Sequence, residues 1–268
     1  MGPIELIKYP RTPHIEGSRL QPGDEDLSQI PFRTIQDKYI VVEEKVDGAN
    51  TALSFTSDGT MLLQNRGHYI GGGYRDRHYT MFKQWAQVHK DRLYKVLSNR
   101  YIMYGEWLYA KHTVFYDALP HYFMEFDVWD RERACYLDTP SRRQLLLKAP
   151  VCSVPVLKAG VFHKQEELLQ LLGTSHYITP NHLHTLKEQS EALGLDAERQ
   201  LRETDASDLM EGLYIKVEAK GKVVDRMKFV RASFLQTVDA SETHWVERPI
   251  VPNRLSVPLN SLFEVRYD

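Results

Sequence analysis

A lysine stands two residues before an Asp-Gly pair in the segment Glu43-Glu44-Lys45-Val46-Asp47-Gly48-Ala49-Asn50. Residues 38–42 are β-branched and aromatic and predict a strand, Asp47-Gly48 predicts a tight turn, and residues 51–55 predict a second strand. Lys45 would then lie at a strand end, beside backbone amides that can meet a phosphate. Such a lysine is either a nucleophile or an exposed side chain before a hairpin turn.

A nucleophilic role requires a lowered pKa for Lys45. A solvated lysine has a pKa near 10.4, so about one molecule in a few thousand carries a neutral amine at pH 7. Lowering that pKa by roughly three units corresponds to about 4 kcal/mol, which burial or neighbouring cations can supply. Lys216 and Lys228 are the candidate cations.

Five further segments follow in order along the chain: Asn65-Arg66-Gly67, Tyr104-Gly105-Glu106-Trp107, Phe123-Met124-Glu125-Phe126-Asp127-Val128-Trp129-Asp130, Glu211-Gly212-Leu213-Tyr214-Ile215-Lys216 and Arg226-Met227-Lys228-Phe229-Val230-Arg231. With the Lys45 segment, this set resembles the covalent nucleotidyltransferase superfamily of ATP-dependent DNA ligases, RNA ligases and mRNA capping enzymes. The resemblance runs from about residue 38 to residue 231. Ala49-Asn50, directly after the first motif, is similar to RNA ligases rather than to capping enzymes.

The resemblance implies that Lys45 attacks the α-phosphorus of ATP, releases pyrophosphate and keeps AMP in a phosphoramidate bond. Positioning and electrostatics carry most of such a transfer. The implied catalytic residues are Lys45, Asp47, Glu106, Glu211, Lys216 and Lys228. The implied nucleotide-binding residues are Glu44, Lys45, Val46, Asn50, Arg66, Glu106, Phe126, Glu211, Lys216, Arg226 and Lys228.

Individual roles follow from the same resemblance. Arg66 would contact the nucleotide and later the 5′-phosphate end of the nucleic acid, unless it is an ordinary strand-end arginine. Glu106 would hold the ribose hydroxyls or the water shell of a metal, unless it pairs with an arginine. Phe126 would stack on the purine, with Phe123 as the competitor and plain core packing as the alternative.

A divalent metal is also implied, held by Asp47, Glu106 and Glu211. Mg²⁺ prefers oxygen ligands and keeps several waters, so these carboxylates are expected to act through waters, with Mn²⁺ as an alternative ion. An exposed carboxylate at a strand start is the plainer interpretation of Glu211. In the strand that follows Glu211, Tyr214 and Lys216 should face the side opposite to Leu213 and Ile215.

The last motif departs from the family pattern. RNA ligases commonly carry two lysines separated by one residue, whereas this chain reads Arg226-Met227-Lys228. Arginine keeps the charge but changes the shape. Lys228 is therefore the residue expected at the α-phosphate.

Composition indicates a soluble enzyme. The chain has 268 residues, is 42% hydrophobic and 26% charged, and carries a net charge of −2. It shows neither an apolar run of membrane length nor a signal peptide. Its two cysteines, Cys135 and Cys152, form neither a disulfide framework nor a metal cluster, so a reducing cytoplasm is expected. Basic and aromatic residues around Gly71-Gly72-Gly73, and at Lys111-His112, are candidate RNA contacts, with a solvated loop as the alternative.

The expected fold is α+β: an ATP-grasp-like ligase domain of antiparallel sheets flanked by helices, with the nucleotide between the sheets. Residues 1–238 would form the adenylyltransferase domain, including an N-terminal strap, residues 1–37, that closes over the nucleotide, receives the 5′-phosphate or only packs. Residues 239–268 would form a tail on the same domain, ending in a short strand at 262–267. Helices are expected at 164–172 and 182–202. A C-terminal OB-fold, usual in DNA ligases and capping enzymes, would hardly fit after residue 231.

The expected activity is that of an ATP-dependent RNA ligase joining 5′-phosphate and 3′-hydroxyl ends, with end-healing kinase or phosphatase partners as an open question. A minimal DNA ligase and an inactive nucleic-acid-binding relative are the alternatives. A GTP-using capping enzyme is disfavoured by Asn50 and by the short tail. The sequence leaves open the oligomeric state and the choice among a nicked duplex, a broken tRNA loop and free strands.

Overall fold

The computed structural model of the protein describes residues 5–20, 24, 29–239 and 248–264. Its strands are β1 (Tyr39–Lys45), β2 (Ala49–Phe55), β3 (Met61–Asn65), β4 (Tyr101–Trp107), β5 (Phe123–Asp130), β6 (Cys135–Tyr136), β7 (Cys152–Ser153), β8 (Val156–Val161), β9 (Gly212–Ala219) and β10 (Lys222–Val230). Its helices are α1 (Thr80–Val88), α2 (Lys90–Leu97), α3 (Thr139–Leu146), α4 (Gln165–Leu169), α5 (His182–Ala192), α6 (Ala197–Arg202) and α7 (Ala232–Asp239).

The strands form two sheets with a cleft between them. The first sheet has the order β10-β9-β1-β8, and all of these pairs are antiparallel. The second has the order β3-β2-β4-β5-β6, with β7 added in parallel beside β5. The expected α+β architecture of antiparallel sheets with flanking helices is confirmed.

The turn after Lys45 carries the chain from one sheet to the other. The strands predicted on either side of this turn are present, but β1 and β2 belong to different sheets and do not form a hairpin. Gly48 lies in this crossover, where a Cβ would be 2.7 Å from the Leu108 side chain and 2.8 Å from the Trp107 carbonyl oxygen. Only glycine lets the crossover pass this close to the end of β4, so Lys45 is held where the two sheets meet.

Strand β9 shows the alternation that the sequence predicts. Leu213 and Ile215 are fully buried in a core on the outer side of the first sheet. Tyr214 packs in a different cluster, with Phe126 of the second sheet. Lys216 likewise reaches residues of β5 on the cleft side.

The second sheet separates the cleft from the main hydrophobic core. Helices α1 and α2 cover its outer face, where Phe123 stacks on Phe82 and on Trp85, each at 5.4 Å between ring centroids. The opposite face carries Tyr104 and Phe126 in the smaller cluster that borders the cleft.

The helical region at 182–202 is two helices rather than one. Gly194, with φ +69°, adopts the left-handed conformation after the end of α5. The Asp196 side chain then accepts a hydrogen bond from the Arg199 backbone and caps α6. Helix α4 is likewise shorter than the expected 164–172.

The tail residues 248–264 run back over the second sheet's loops. The Asn253 backbone donates to the Tyr109 carbonyl at 2.7 Å, and the His89 ring meets the Leu262 carbonyl at 2.7 Å. In place of the strand predicted from residue 262, the chain forms a short 3-10 helix, Leu259–Phe263, and residues 265–268 lie outside the described part. In the described ranges, no helix is long and apolar enough to cross a membrane.

Candidate active site

Lys45 ends β1 and meets a carboxylate. Its Nζ lies 2.6 Å from Glu211 Oε1, and about a fifth of its side chain, 21%, is exposed. Gly212 is the strand partner of Lys45, so Glu211 comes beside the lysine as β9 begins. A Cβ on Gly212 would lie 1.9 Å from the Phe229 carbonyl oxygen, so glycine is required for this close pairing with β10.

The charges around Lys45 are mainly negative in this structure. Burial acts to lower the pKa of Lys45, but the attraction of Glu211 and Glu106 outweighs it and raises that pKa. The sequence predicts the opposite, a pKa of Lys45 lowered by burial or by neighbouring cations. The lysine is therefore held as an ammonium ion by the carboxylates that surround it.

Two of these carboxylates are easily protonated. Burial raises the pKa of Glu106 to about 8 and the pKa of Glu211 to about 7. The negative charge of Asp47 raises both further, while Lys45 opposes the shift. Glu106 lies opposite Asn50 in the ladder between β4 and β2, so the two side chains share a face.

Asp47 is fixed by the backbone of a loop. Its Oδ2 accepts hydrogen bonds from the Thr113 and Val114 backbones at 2.7 and 2.8 Å, and its own N–H donates to the Tyr116 hydroxyl at 2.7 Å. Burial raises the pKa of Asp47. The neighbouring Val46 side chain packs into the hydrophobic core.

The carboxylates suit a hard divalent cation in their chemistry, because oxygen ligands are what such ions prefer. Among the described residues, however, no three side chains are placed to ligate a metal directly. At least one of Asp47, Glu106 and Glu211 would therefore have to contact a shared metal through an intervening water.

Lys228 reaches the same region from β10. Its ammonium group pairs with Asp24 of the N-terminal strap, and His14 Nε2 lies 3.3 Å from the same carboxylate. Burial lowers the pKa of Lys228, and the charge of Lys45 lowers it further. Burial opposes ionisation of Asp24, but its bond to Lys228 prevails and brings the pKa of Asp24 to about 2.

The structure places Lys216 and Arg226 away from Lys45. Lys216 lies opposite Val41, four residues from Lys45 along β1, or about 13 Å. Its Nζ is 2.8 Å from Glu43 and 3.3 Å from Asp127. Arg226 lies over the Tyr136 ring at 3.9 Å. Both cations thus belong to a buried ionic group deeper in the cleft.

Glu44 and Arg66 lie outside the group formed by Lys45, Asp47, Glu106 and Glu211. Glu44 points to the other face of β1, where its carboxylate accepts from the Ser175 hydroxyl at 2.5 Å and meets His176 Nδ1 at 2.6 Å. Arg66 is exposed on the loop after β3, yet its charge acts on the pKa of Glu106. Arg66 therefore borders the site, whereas Glu44 does not.

Phe126 lies on the cleft and faces Tyr214. The register between β4 and β5 shifts at this point, so Phe126 is the extra residue of a bulge. Its ring centroid is 6.3 Å from that of Tyr214, at an interplanar angle of 35°. A planar base between two rings needs roughly 7 Å, so a small opening would admit one. Phe123, the competing candidate, is fully buried on the other side of the sheet.

A family model described as RNA ligase matches residues 38–230, most of the chain. The chain belongs to the RNA ligase family. A search among curated proteins finds no match for this chain.

Solved structures support the same fold. Naegleria gruberi RNA ligase with pyrophosphate aligns at 18% identity and a TM-score of 0.52, over 87% of this chain and 58% of that one. A variant of the same ligase with ATP and Mn aligns at 17% identity and a TM-score of 0.51, over 86% and 58%. The chain thus spans less than two thirds of the length of those structures.

Sequence reasoning missed the ionic group that underlies the cleft. Arg142 of α3 is fully buried, with Nη2 2.5 Å from Glu43 Oε1 and Nη1 3.4 Å from Glu125 Oε1. It also donates to the Phe126 carbonyl, as does Lys216. Arg142 is 99 residues from Glu43 along the chain, so no local spacing could have indicated the pair.

Replacing Arg142 by methionine is expected to destabilise the protein by about 3–5 kcal/mol, because Glu125 and Glu43 would each lose a buried cationic partner and, in the described part of the chain, only Glu43 would keep another, Lys216. Urea unfolding monitored by circular dichroism measures the loss. Arg143→Met is the matched control, since Arg143 is the exposed neighbour on the same helix. Equal unfolding midpoints for the two variants would contradict the assignment.

Proposed function

We propose that the protein is an ATP-dependent RNA ligase that works through a lysyl-AMP on Lys45 and joins 5′-phosphate to 3′-hydroxyl RNA ends. The observation that carries this proposal is the meeting of Lys45, Glu106, Glu211 and Asp47 where the two sheets join, in a chain of the RNA ligase family. Residues 1–238 would form the catalytic domain and residues 239–268 its tail.

In the first step Lys45 Nζ attacks the α-phosphorus of ATP, and the bond to pyrophosphate breaks. The amine must first lose its proton, and Glu211, 2.6 Å away with a pKa of about 7, is placed to accept it. A divalent cation held through waters by Asp47, Glu106 and Glu211 would neutralise phosphate charge and offset the carboxylates that keep Lys45 protonated. Lys228 would leave Asp24 and pair with the α-phosphate.

In the second step a 5′-phosphate oxygen of RNA attacks the adenylyl phosphorus, and Lys45 leaves. In the third step the 3′-hydroxyl attacks the activated 5′-phosphate, and AMP leaves. Arg66 is exposed at the edge of the site, which suits a contact to the incoming 5′-phosphate.

Sealing of matched nicked duplexes tests the proposal against a minimal DNA ligase. The substrates differ only in whether the 3′-hydroxyl strand ends in ribonucleotides or deoxynucleotides, and each is incubated with ATP and Mg²⁺ or Mn²⁺. Sealing restricted to the RNA-ended strand is the expected result. Equal sealing of an all-DNA nick would make the protein a DNA ligase, and absence of sealing with absence of an AMP adduct would indicate a binding protein.

One surface suits the RNA backbone. It includes six basic residues, Arg66, Arg77, Lys83, Lys90, Arg92 and Lys95, against the acidic residues Asp76 and Asp91, in a chain of net charge −2. Helices α1 and α2 are anchored by buried Trp85 and Leu93. Lys83 donates to the Gly71 carbonyl at 3.4 Å, which joins α1 to the loop that begins at Arg66. The loop that carries Arg66 thus links the basic residues of α1 to the edge of the site.

Replacing Lys83, Lys90, Arg92 and Lys95 together by alanine is expected to weaken binding of nicked RNA by at least about tenfold while leaving the AMP adduct unchanged. The slope of log affinity against log salt should fall by about 0.7–0.9 for each phosphate that is no longer neutralised. The control replaces an equal number of exposed residues elsewhere, Lys38, Lys164, Lys187 and Arg202. An equal change in both variants would show that the effect is one of net charge.

A further inference from the structure

The N-terminal strap crosses the cleft and touches both sheets. The Ile7 carbonyl accepts from the Tyr104 hydroxyl at 2.8 Å and from the Gln64 amide at 2.9 Å, both on the second sheet. On the first sheet, the Thr12 hydroxyl lies 3.0 Å from the Tyr214 hydroxyl. Residues 7–12 therefore close one end of the space between Phe126 and Tyr214.

Tyr9 is the strap residue that enters this space. Its hydroxyl donates to Asp127 Oδ2 at 2.5 Å and lies 2.6 Å from the Tyr214 hydroxyl. Its ring meets the edge of the Phe126 ring at 5.1 Å and 74°. Only 6% of Tyr9 is exposed. One side chain thus contacts both rings that would stack on a base.

The same hydroxyl is tied to the buried ionic group. Asp127, which accepts from Tyr9, is fully buried and lies 3.3 Å from Lys216 and 3.6 Å from Arg226. The Arg226 guanidinium lies 5.1 Å from the Tyr9 ring centroid. Because Asp127 is held by two cations, the position of the Tyr9 hydroxyl is fixed, and the Tyr214 hydroxyl is fixed through it.

We propose that Tyr9 is a positioning residue for nucleotide selection: it sets the angle and spacing of Tyr214 against Phe126 and makes the slot between them select a purine over a pyrimidine. A purine covers more of both rings than a pyrimidine does, so rings held at a set angle favour the larger stacked surface once the slot has opened to admit a base. This proposal rests on the proposed function, since it concerns the ATP of the adenylylation step.

The test measures initial rates of lysyl-AMP formation at varied ATP, with CTP as the competing nucleotide, in Tyr9→Phe and Tyr9→Ala. Loss of the hydroxyl bond is expected to raise the KM for ATP about fivefold in Tyr9→Phe, with the maximal rate within about twofold of wild type. Tyr9→Ala should raise the KM for ATP further and reduce the preference for ATP over CTP by about tenfold or more.

Tyr104→Phe is the matched control. It removes another buried tyrosine hydroxyl, one that donates to the strap at the Ile7 carbonyl rather than to Asp127 or Tyr214. Its KM for ATP and its ATP preference should match wild type. Thermal unfolding of all variants shows whether they are folded. If Tyr9→Ala does not fold, Tyr9→Phe still tests the proposal, because it keeps the ring.

Each outcome decides between the two proposals. An unchanged KM and ATP preference in folded Tyr9→Phe and Tyr9→Ala would overturn the role of Tyr9 while leaving the ligase assignment standing. Equal losses of maximal rate in Tyr9→Phe and Tyr104→Phe would show that the strap acts only on stability, which also overturns it. If the wild type forms no nucleotide adduct, both proposals fail together.

Discussion

Replacing Lys45 by alanine is expected to abolish the AMP adduct, lowering its rate of formation by at least about 10⁴-fold, because alanine offers no nucleophile. Intact-protein mass spectrometry after incubation with ATP and Mg²⁺ or Mn²⁺ measures the adduct directly, and peptide mapping places it on the chain. The Lys45 side chain is partly exposed and ends a strand, so its removal should leave the fold unchanged.

Two comparisons sharpen this test. Lys222→Ala, at the exposed start of β10 in the same sheet, should adenylylate like wild type. RNA supplied with an adenylylated 5′ end should still be sealed by Lys45→Ala, because the third step needs no lysine nucleophile. An adduct that persists in Lys45→Ala, or that maps to another residue, would refute the proposed mechanism.

Replacing Glu211 by glutamine has the second largest expected effect, a loss of about 10²–10³-fold in the rate of lysyl-AMP formation. The substitution keeps the shape but removes the charge that would accept the Lys45 proton and attract a metal. Two effects compete here, because the same change also removes the attraction that raises the pKa of Lys45. We expect the loss of the carboxylate as proton acceptor and metal ligand to outweigh the lower pKa of Lys45, since phosphate transfer depends on charge placed around the reacting oxygens.

Single-turnover adenylylation distinguishes the two effects of Glu211→Gln. Glu218→Gln is the control, because Glu218 lies near the far end of β9, the strand that follows Glu211, and its carboxylate binds Thr139, away from Lys45. The control rate should stay within about twofold of wild type. A faster Glu211→Gln enzyme would mean that the 2.6 Å ion pair is only inhibitory and that Glu211 is not part of the transfer machinery.

The sequence predicted those features that depend on local pattern. Alternation along β9 correctly separated Leu213 and Ile215 from Tyr214 and Lys216, because a strand has a period of two. The strand end at Lys45 followed equally from the Asp-Gly pair. The crossing of the chain between two sheets at that point did not follow, since a tight turn within one hairpin has the same residues.

The remaining differences arise from contacts between distant segments. The resemblance implies Lys216 as a nucleotide-binding cation, but its pairing with Glu43 and Asp127, which lie far away in sequence, could not be predicted. The contribution of the strap was also unpredictable, because Tyr9 reaches Asp127 across 118 residues. The periodicity of hydrophobic residues along the sequence does not indicate which distant residues pair. These pairs are therefore visible only in the folded structure.

The crossover at Gly48 has a mechanical consequence. It ties the two sheets together directly beside Lys45, while the rings of Phe126 and Tyr214 lie deeper between them. If one sheet rotated against the other about this connection, the rings would move farther than the lysine, because they lie farther from the point of rotation. Admission of a base and placement of the attacking amine can therefore be altered independently by substitution.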